Sequence, residues 1–532
     1  MTSSPSPVSF GEEAYRPQIH YTAAETWIND PNGLVYADGL YHLFFQNNPY
    51  GTNHANMSWG HAVSTDLVHW NDRPVAILCD DEEQIFSGSI VVDEGNTSGF
   101  GAPGSSPLVA IYTSAYAEDS AHHGIQAQSL AFSLDGGETW TKHEGNPVLD
   151  RGSRDFRDPK VFRYSGPDGS YWVMVAVEAV ERKAVLYRSD DLRNWTHLSD
   201  FEATTKVGLI WECPDLFPLA VDGDPENVKW VLIINLHRED GEGGSAGVYF
   251  LGDFDGTTFA SVGVGASADD GGAPAAEYGW LDFGRDYYAT VSFNSAPDDR
   301  RILVGWMNNW DYARSLPTSP WRGSMALPRE ATLRTRAGRV VLEQRVVPGL
   351  EASGLPRSLG LLDVPEGVRA LPLECREIPC LIEATFDAGS ASEFGLVLLQ
   401  PGEGQPGEGR SGEGRSAEEG ARLCYDVERG ELALDRRFSG NTELHPLFSS
   451  IERAPVALIG DRLRLEIYLD AGSIEVFAQG GQVTFAEQVF PDPSSTGVSV
   501  YAVGGTAQLV ALTVTPLKPA PVVRERESAH AV

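Results

Sequence analysis

Three acidic residues in this 532-residue sequence keep company unlike that of the other acidic side chains: Asp30 in WINDPNGL, Asp158 in DFRDPKVF and Glu212 in IWECPDLFPL. Each lies within two residues of a proline and close to aromatic or aliphatic side chains, which favours burial, and a buried carboxylate needs a partner or a use. One use is glycoside cleavage. With retention, two carboxyl groups about 5 to 5.5 Å apart divide the work, one attacking the anomeric carbon and the other protonating the departing oxygen. Asp30 and Glu212 suit those two posts. Like charges so close resist joint ionisation, and Glu212, between Trp211 and Cys213-Pro214, is the member expected to hold a proton. Asp158, beside Arg157, is expected to stay ionised, where it can hold sugar hydroxyls and favour an oxocarbenium-like centre. The run Asn29-Asp30-Pro31-Asn32-Gly33 also has a plainer reading. Asp-Pro and Asn-Gly are turn formers and could simply join two strands of a hairpin.

Residues 128 and 54 positions apart must be brought together by the fold. Short alternating runs such as LVYADGLYHLFF, YWVMVAVEAV and WVLIINL, punctuated by Gly, Asp and Pro, predict strands, and amphipathic helical periodicity is hard to find. A weak repeat runs through AVSTDLVHW, LAFSLDGGETW, LYRSDDLRNW and YFLGDFDGTTF, each a strand, an Asp-rich turn and a closing aromatic: Trp70, Trp140, Trp195 and Phe259. Such repeats predict the blades of a β-propeller, whose innermost strands converge on one axial funnel, although an unrepeated sandwich with generic Asp-Gly hairpins has the same local marks. Residues 20–340 would hold five blades. Past residue 345 the texture changes, and RLRLEIYLDAGSIEVFAQ puts Leu463, Leu465, Ile467 and Leu469 on one face before a turn and a second strand through Ile474 and Val476. With TGVSVYAVGG and AQLVALTVTPL, this predicts a β-sandwich over residues 360–518.

The expected fold class is therefore all-β, a five-bladed β-propeller followed by a C-terminal β-sandwich, with an N-terminal extension (1–19) and a linker (341–359). The stretch PGEGQPGEGRSGEGRSAEEG, residues 401–420, has no apolar side chain able to offset the entropy of ordering and is expected to be a disordered insertion in the sandwich. The tail, 519–532, is expected to fray.

With 75 acidic against 40 basic side chains the formal charge is −35, which repels phosphate backbones and anionic headgroups, so neither nucleic acid nor a membrane surface is an expected partner. A neutral substrate meets no such barrier. The five cysteines are scattered with no CxxC pair, so neither a disulfide framework nor a metal site is expected. The first residues, MTSSPSPVSFGEEAYRP, lack the basic start and apolar core of a signal peptide, and no uncharged apolar run approaches the roughly 18 residues of a membrane span, so a cytoplasmic location is expected.

At WINDPNGL, FRDP and WECPDLF, in that order, the sequence resembles glycoside hydrolase family 32, the invertase, levanase and exo-inulinase family. FSGSIVVD, GNTSGFG, GRDYYAT and LEIYLDAGSIEVF extend the resemblance over nearly the whole chain. It implies a five-bladed propeller joined to a sandwich, no cofactor or metal, and retaining hydrolysis of β-fructofuranosides. It assigns the nucleophile to Asp30, transition-state stabilisation to Asp158 and acid/base work to Glu212, and it places Asn29, Gln46, Trp59, Phe86, Ser87, Arg157 and Trp306 around the terminal fructosyl unit. By their surroundings alone, Trp59 and Trp306 could equally be core aromatics and Gln46 a satisfied strand amide. GWMNNWDYA and LPTSPWRGSMALPRE are more similar to the levanase and exo-inulinase branch. The expected function is an exo-β-fructosidase acting on fructans, fructooligosaccharides and sucrose. An enzyme restricted to sucrose, a fructosyltransferase using the same residues and a non-catalytic carbohydrate binder are the alternatives. Two features depart from the family pattern, the missing secretion signal and the Gly-Glu-rich insertion. The first points toward sucrose or short imported oligosaccharides.

Overall fold

The computed structural model describes residues 13–167, 169–238, 244–264, 276–375, 378–401 and 419–524. The disorder expected for 401–420 falls almost wholly outside them. The described chain is nearly all β: five antiparallel sheets of four or five strands follow one another in chain order, and two larger sheets of seven and six strands follow those. The only helical pieces among the described residues are two three-residue 3₁₀ turns, Pro297–Asp299 and Ala313–Ser315.

The five smaller sheets begin with the strands Trp27–Ala37, Glu83–Val92, Phe156–Gly166, Ile210–Ala220 and Tyr288–Ser292. These lead strands touch in succession, and the fifth touches the first, so they form a ring. Side-chain amides tie neighbours together: Gln46 Nε2 donates to Ile85 O (2.9 Å), Gln128 Nε2 to Phe156 O (2.9 Å) and Asn235 Nδ2 to Thr290 O (3.2 Å). Deeper in the ring, Asn294 donates to Ile90 O and Val161 O, and buried Lys160 pairs with buried Asp215 at 3.1 Å. These bonds pair buried polar groups of different sheets across the ring.

The four repeat aromatics share one structural role. Trp70 and Phe259 open the fourth strands of the first and fourth sheets, while Trp140 and Trp195 immediately precede those of the second and third. The repeat's aspartates explain the shared turn. Asp66 accepts from Val68 N and His69 N, Asp135 from Thr139 N, Asp191 from Arg193 N and Asn194 N, and Asp255 from Thr257 N and Thr258 N, all within 3.0 Å. A carboxylate that satisfies the amides of its own turn fixes the reversal locally.

In the two larger sheets, Leu463, Leu465, Ile467, Leu469, Ile474 and Val476 are all buried, on the single face that their alternation predicts. They pack with Phe394, Leu396, Leu398, Leu423 and Val500 of the opposing sheet in one apolar core. Two expected limits shift. The fifth sheet's last strand runs from Arg339 to Val346, across the boundary expected at 340, because its ladder with Arg329–Arg336 extends unbroken to Val346. The tail does not fray directly after Leu517. Val523 N donates to Trp70 O (2.8 Å), Asp72 N donates to Val523 O (2.9 Å), and Arg524 pairs with Asp72. An outer strand with unpaired backbone groups supplies partners that composition cannot reveal.

A buried ion network joins the fifth sheet to the sandwich. Arg329 meets Asp282 (2.7 Å) and Glu475 (2.6 Å), and His20 meets Glu475 (2.9 Å) and Asp470 (2.7 Å). Burial by itself would lower the His20 pKa, but its bonds to the two carboxylates and their charges outweigh that and push it up to about 9. A histidine held above its ordinary value stabilises the fold fully below that value, and the contribution is lost as pH rises through the folded-state pKa. We therefore expect stability to fall by roughly 3 kcal/mol between about pH 6 and about pH 10. His20→Gln should be less stable than the parent at the acid end and should lose less stability across the range. Thermal unfolding scans check this, and a parent midpoint that does not move would contradict it.

Candidate active site

The stretch Trp27–Ala37 is one strand, not a hairpin turn, and the reversal comes after it, at Asp38-Gly39. The turn-forming residues serve another end. In each of the five lead strands the pairing register slips near the strand's start: between Ile28 and Pro31, Phe86 and Gly88, Glu212 and Asp215, and Tyr288 and Val291, and at Asp158-Pro159, where two residues face one on the partner strand. A bulge frees residues from the ladder and re-aims their side chains. Pro159 and Pro214 sit in the bulges beside Asp158 and Glu212, and Pro31 closes the bulge that holds Asp30. Having no N–H, proline forfeits nothing where a ladder bond is already lost. Asp158 (φ +61°) and Cys213 (φ +43°) take left-handed conformations, which are rare for side-chain-bearing residues and here turn the chain inward.

These bulges bring Asp30, Asp158 and Glu212 into one cluster. Cys213 lies among them, its N–H donating to Asp158 Oδ2 at 2.9 Å and its Sγ 3.6 Å from Asp30 Oδ2 and 3.7 Å from Asp158 Oδ2. Asp30 is oriented by neutral donors, Ser87 Oγ at 2.7 Å on Oδ2 and Asn29 Nδ2 at 3.0 Å on Oδ1, and Asn29 in turn accepts from Trp27 Nε1 at 2.7 Å. Glu212 receives the Tyr288 hydroxyl at 2.5 Å and Arg157 Nη1 at 3.3 Å, with His237 Nε2 3.4 Å away. Arg157 also holds Asp155 at 2.8 Å, so its hydrogen bonds go to Glu212 and Asp155 and not to the adjacent Asp158.

The protonation expected from the sequence is reversed. Burial raises the Glu212 pKa, but His237, Arg157 and Tyr288 together outweigh it and hold it well below the ordinary carboxylate range. Burial, then the Glu212 charge, pushes Asp158 up to about 7, and Arg157 offsets only part of this. Asp30 is raised as well, by burial first, with Ser87 opposing and Glu212 adding. In the free site these influences favour a proton on Asp158 over one on Glu212.

The other expected site residues divide into two groups. Asn29, Ser87 and Arg157 touch a carboxylate directly, and half-buried Phe86 precedes Ser87. Gln46, Trp59 and Trp306 lie behind them with at most 2% exposure. Trp59 Nε1 donates to Phe86 O at 3.0 Å, and the amide of Asn32 satisfies its neighbours only with its oxygen toward Gln46 and its nitrogen toward Ser87 Oγ. Trp27, Trp306 and Trp310 pack together with ring centroids 5.0 to 6.0 Å apart, and His54 meets Trp310 edge-on. Sequence reasoning gave no role to Cys213, Asn235, His237, Tyr288 or Trp310. Cys213 and Tyr288 lie inside WECPDLF and GRDYYAT, while Asn235 and His237 are polar residues closing the apolar run WVLIINLH, the one mark that could have found them. Larger cavities of about 520, 670 and 770 Å³ include none of the three carboxylates, so it is chemistry and not size that singles out the site.

Family models match two consecutive stretches: the glycosyl hydrolases family 32 N-terminal domain over residues 20–344, and the family 32 C-terminal domain over residues 366–516. The chain belongs to glycoside hydrolase family 32. It is 41% identical over 518 residues to a levanase of Bacillus subtilis, covering 96% of this chain and 71% of that one. It is 35% identical to an extracellular exo-inulinase of Aspergillus awamori, covering 93% of each. The crystal structure of exo-inulinase from A. awamori superposes with a TM-score of 0.84 at 33% identity, over 96% of this chain and 100% of that one. A β-fructofuranosidase from Schwanniomyces occidentalis, complexed with fructosyl-erythritol, gives 0.81 at 29%, over 96% and 99%. The protein is thus a glycoside hydrolase, and its nearly all-β architecture is shared with solved members of the family.

Proposed function

We propose that the protein is a retaining exo-β-fructosidase that removes terminal non-reducing β-D-fructofuranosyl units from levan- and inulin-type fructans, fructooligosaccharides and sucrose. The observation that carries this reading is the convergence of Asp30, Asp158 and Glu212 from the bulges of three lead strands of one ring, with Asp30 oriented by neutral donors and Glu212 by Tyr288 and Arg157. The ring of lead strands supports a five-bladed propeller with the site at one mouth and the two larger sheets as the sandwich.

Asp30 attacks the anomeric carbon while Glu212 protonates the departing oxygen, leaving fructose esterified to Asp30. Glu212 then takes a proton from water, which releases fructose and restores the site. Asn29, Ser87, Arg157 and Phe86 form the near wall around the fructosyl unit, with Gln46, Trp59 and Trp306 setting its shape from behind. Asp158 holds ring hydroxyls. Those hydroxyls are donors and favour ionised Asp158, whereas the glycosidic oxygen is an acceptor and favours protonated Glu212, so substrate itself draws the shared proton across.

The free site keeps that proton below about pH 7 and loses it above. kcat/KM on sucrose should therefore fall as pH rises through that region, with an apparent value belonging to the cluster as a whole. A profile still level at about pH 9 would count against a shared proton. A chromatographed time course on sucrose, inulin and levan tests the function directly. Free fructose from the first time point is the expected product. Intermediate oligosaccharides from inulin would instead mean endo action, lengthening oligosaccharides at high sucrose would mean transfer, and no fructose at all would leave only a binder.

A further inference from the structure

The segment 281–287, which leads into the Tyr288 strand, has no ladder of its own and is held by the sandwich strand Val483–Gln488. Phe283 N donates to Thr484 O (2.9 Å), Asp286 N to Ala486 O (3.0 Å) and Arg285 N to Glu487 Oε1 (3.0 Å), while Gln488 N donates to Asp286 Oδ2 (2.8 Å). The approach is close enough that a Cβ on Gly284 would stand 2.2 Å from Ala486 O. At the centre of this seam is Arg436, a fully buried sandwich residue. Its Nη1 lies 2.6 Å from both Asp286 Oδ2 and Glu487 Oε2, its Nη2 donates to the Tyr312 hydroxyl (2.8 Å), and its Nε donates to Phe448 O (2.7 Å). Tyr312 closes the circuit by donating to Asp286 Oδ1 at 2.6 Å.

Both anchored segments reach the site. Two residues after Asp286 comes Tyr288, whose hydroxyl donates to Glu212. Two residues before Tyr312 comes Trp310, packed on Trp27 and Trp306. We infer that Arg436 is a positioning residue for the reaction: its planar fork clamps Asp286 and Tyr312, and through them it fixes the Tyr288 hydroxyl on Glu212 and Trp310 in the site wall. The sandwich thereby does more than cover the fifth sheet, because it sets the acid/base geometry. This rests on the assignment of Glu212 as acid/base proposed above.

A residue that merely joined two domains would affect stability, or all substrates alike. A residue that positions the acid affects substrates according to how much their leaving group needs a proton. Sucrose expels an alkoxide and needs protonation, whereas β-D-fructofuranosyl fluoride expels fluoride and needs little. Arg436→Lys keeps the buried charge but loses the fork. In the full chain, Arg436→Lys and Tyr288→Phe should each lower kcat/KM on sucrose, which reports the bond-breaking step alone, by about 10-fold or more, and kcat/KM on the fluoride by no more than about 2-fold. Tyr312→Phe should move the same ratio in the same direction by less, and it decides the matter should Arg436→Lys fail to fold. Equal losses on both substrates, or a parental ratio in the Arg436 and Tyr312 variants, would overturn the inference, as would a Tyr288→Phe enzyme with the parental ratio. Failure of the proposed function looks different, since the parent itself would then release no fructose from either substrate.

Discussion

Asp30→Asn should lower turnover on sucrose by about 10⁴-fold or more while leaving the unfolding midpoint close to that of the parent. The substitution changes almost nothing but the nucleophile. Asn is isosteric with Asp: its oxygen can still accept from Asn29 Nδ2 and its nitrogen can donate to Ser87 Oγ, the groups that lie 3.0 and 2.7 Å from the two carboxylate oxygens. It even relieves the crowding of three carboxylates. A neutral amide, however, does not form the covalent bond to the anomeric carbon, and Asp158, which holds ring hydroxyls in the proposed complex, does not take its place. Steady-state rates on sucrose, with circular dichroism to confirm folding, check this. An Asp30→Asn enzyme within about 10-fold of the parent would remove Asp30 from the nucleophile's place.

The second large effect is expected at Glu212. Glu212→Gln should cut kcat on sucrose by about 10² to 10⁴-fold with sugar affinity roughly intact, because the amide can keep its oxygen toward Arg157 and its nitrogen toward the Tyr288 oxygen but has no acidic proton to deliver. The loss should be much smaller for the first step on β-D-fructofuranosyl fluoride. Hydrolysis of the intermediate should stay slow with both substrates, since the same residue must activate water. Pre-steady-state rates separate the two steps, and equal losses in sucrose cleavage and fluoride release would contradict the dual role.

Much of this site was legible from local chemistry. A carboxylate beside a proline and among aromatics marks a place where burial and a broken ladder coincide, and Asp30, Asp158 and Glu212 all fit that description. The Asp-turn-aromatic repeat was visible because each turn is satisfied by its own aspartate, as Asp66 and Asp191 show. What stayed hidden depends on partners distant in the chain. The run at Asn29–Gly33 reads as a turn because bulges and turns call for the same residues, and only the pairing of Trp27–Ala37 with Leu40–Asn48 tells them apart. The placement of the proton was misread because Arg157, adjacent to Asp158 in sequence, turns to Glu212, and because His237 and Tyr288 arrive from other strands. The docking of Val523 on Trp70 and Asp72 depends on an outer strand that is far away in the chain.

The central claim is that a fructosyl unit passes through a covalent bond to Asp30 under the control of Glu212. Incubating Glu212→Gln with β-D-fructofuranosyl fluoride tests it most directly, because the bond then forms without needing an acid and hydrolyses slowly without a base. Mass spectrometry of the quenched, digested protein should find one added fructosyl unit, on the peptide that contains Asp30. An adduct on Asp158 or elsewhere, or fluoride released in a burst with no adduct on the protein, would contradict the account.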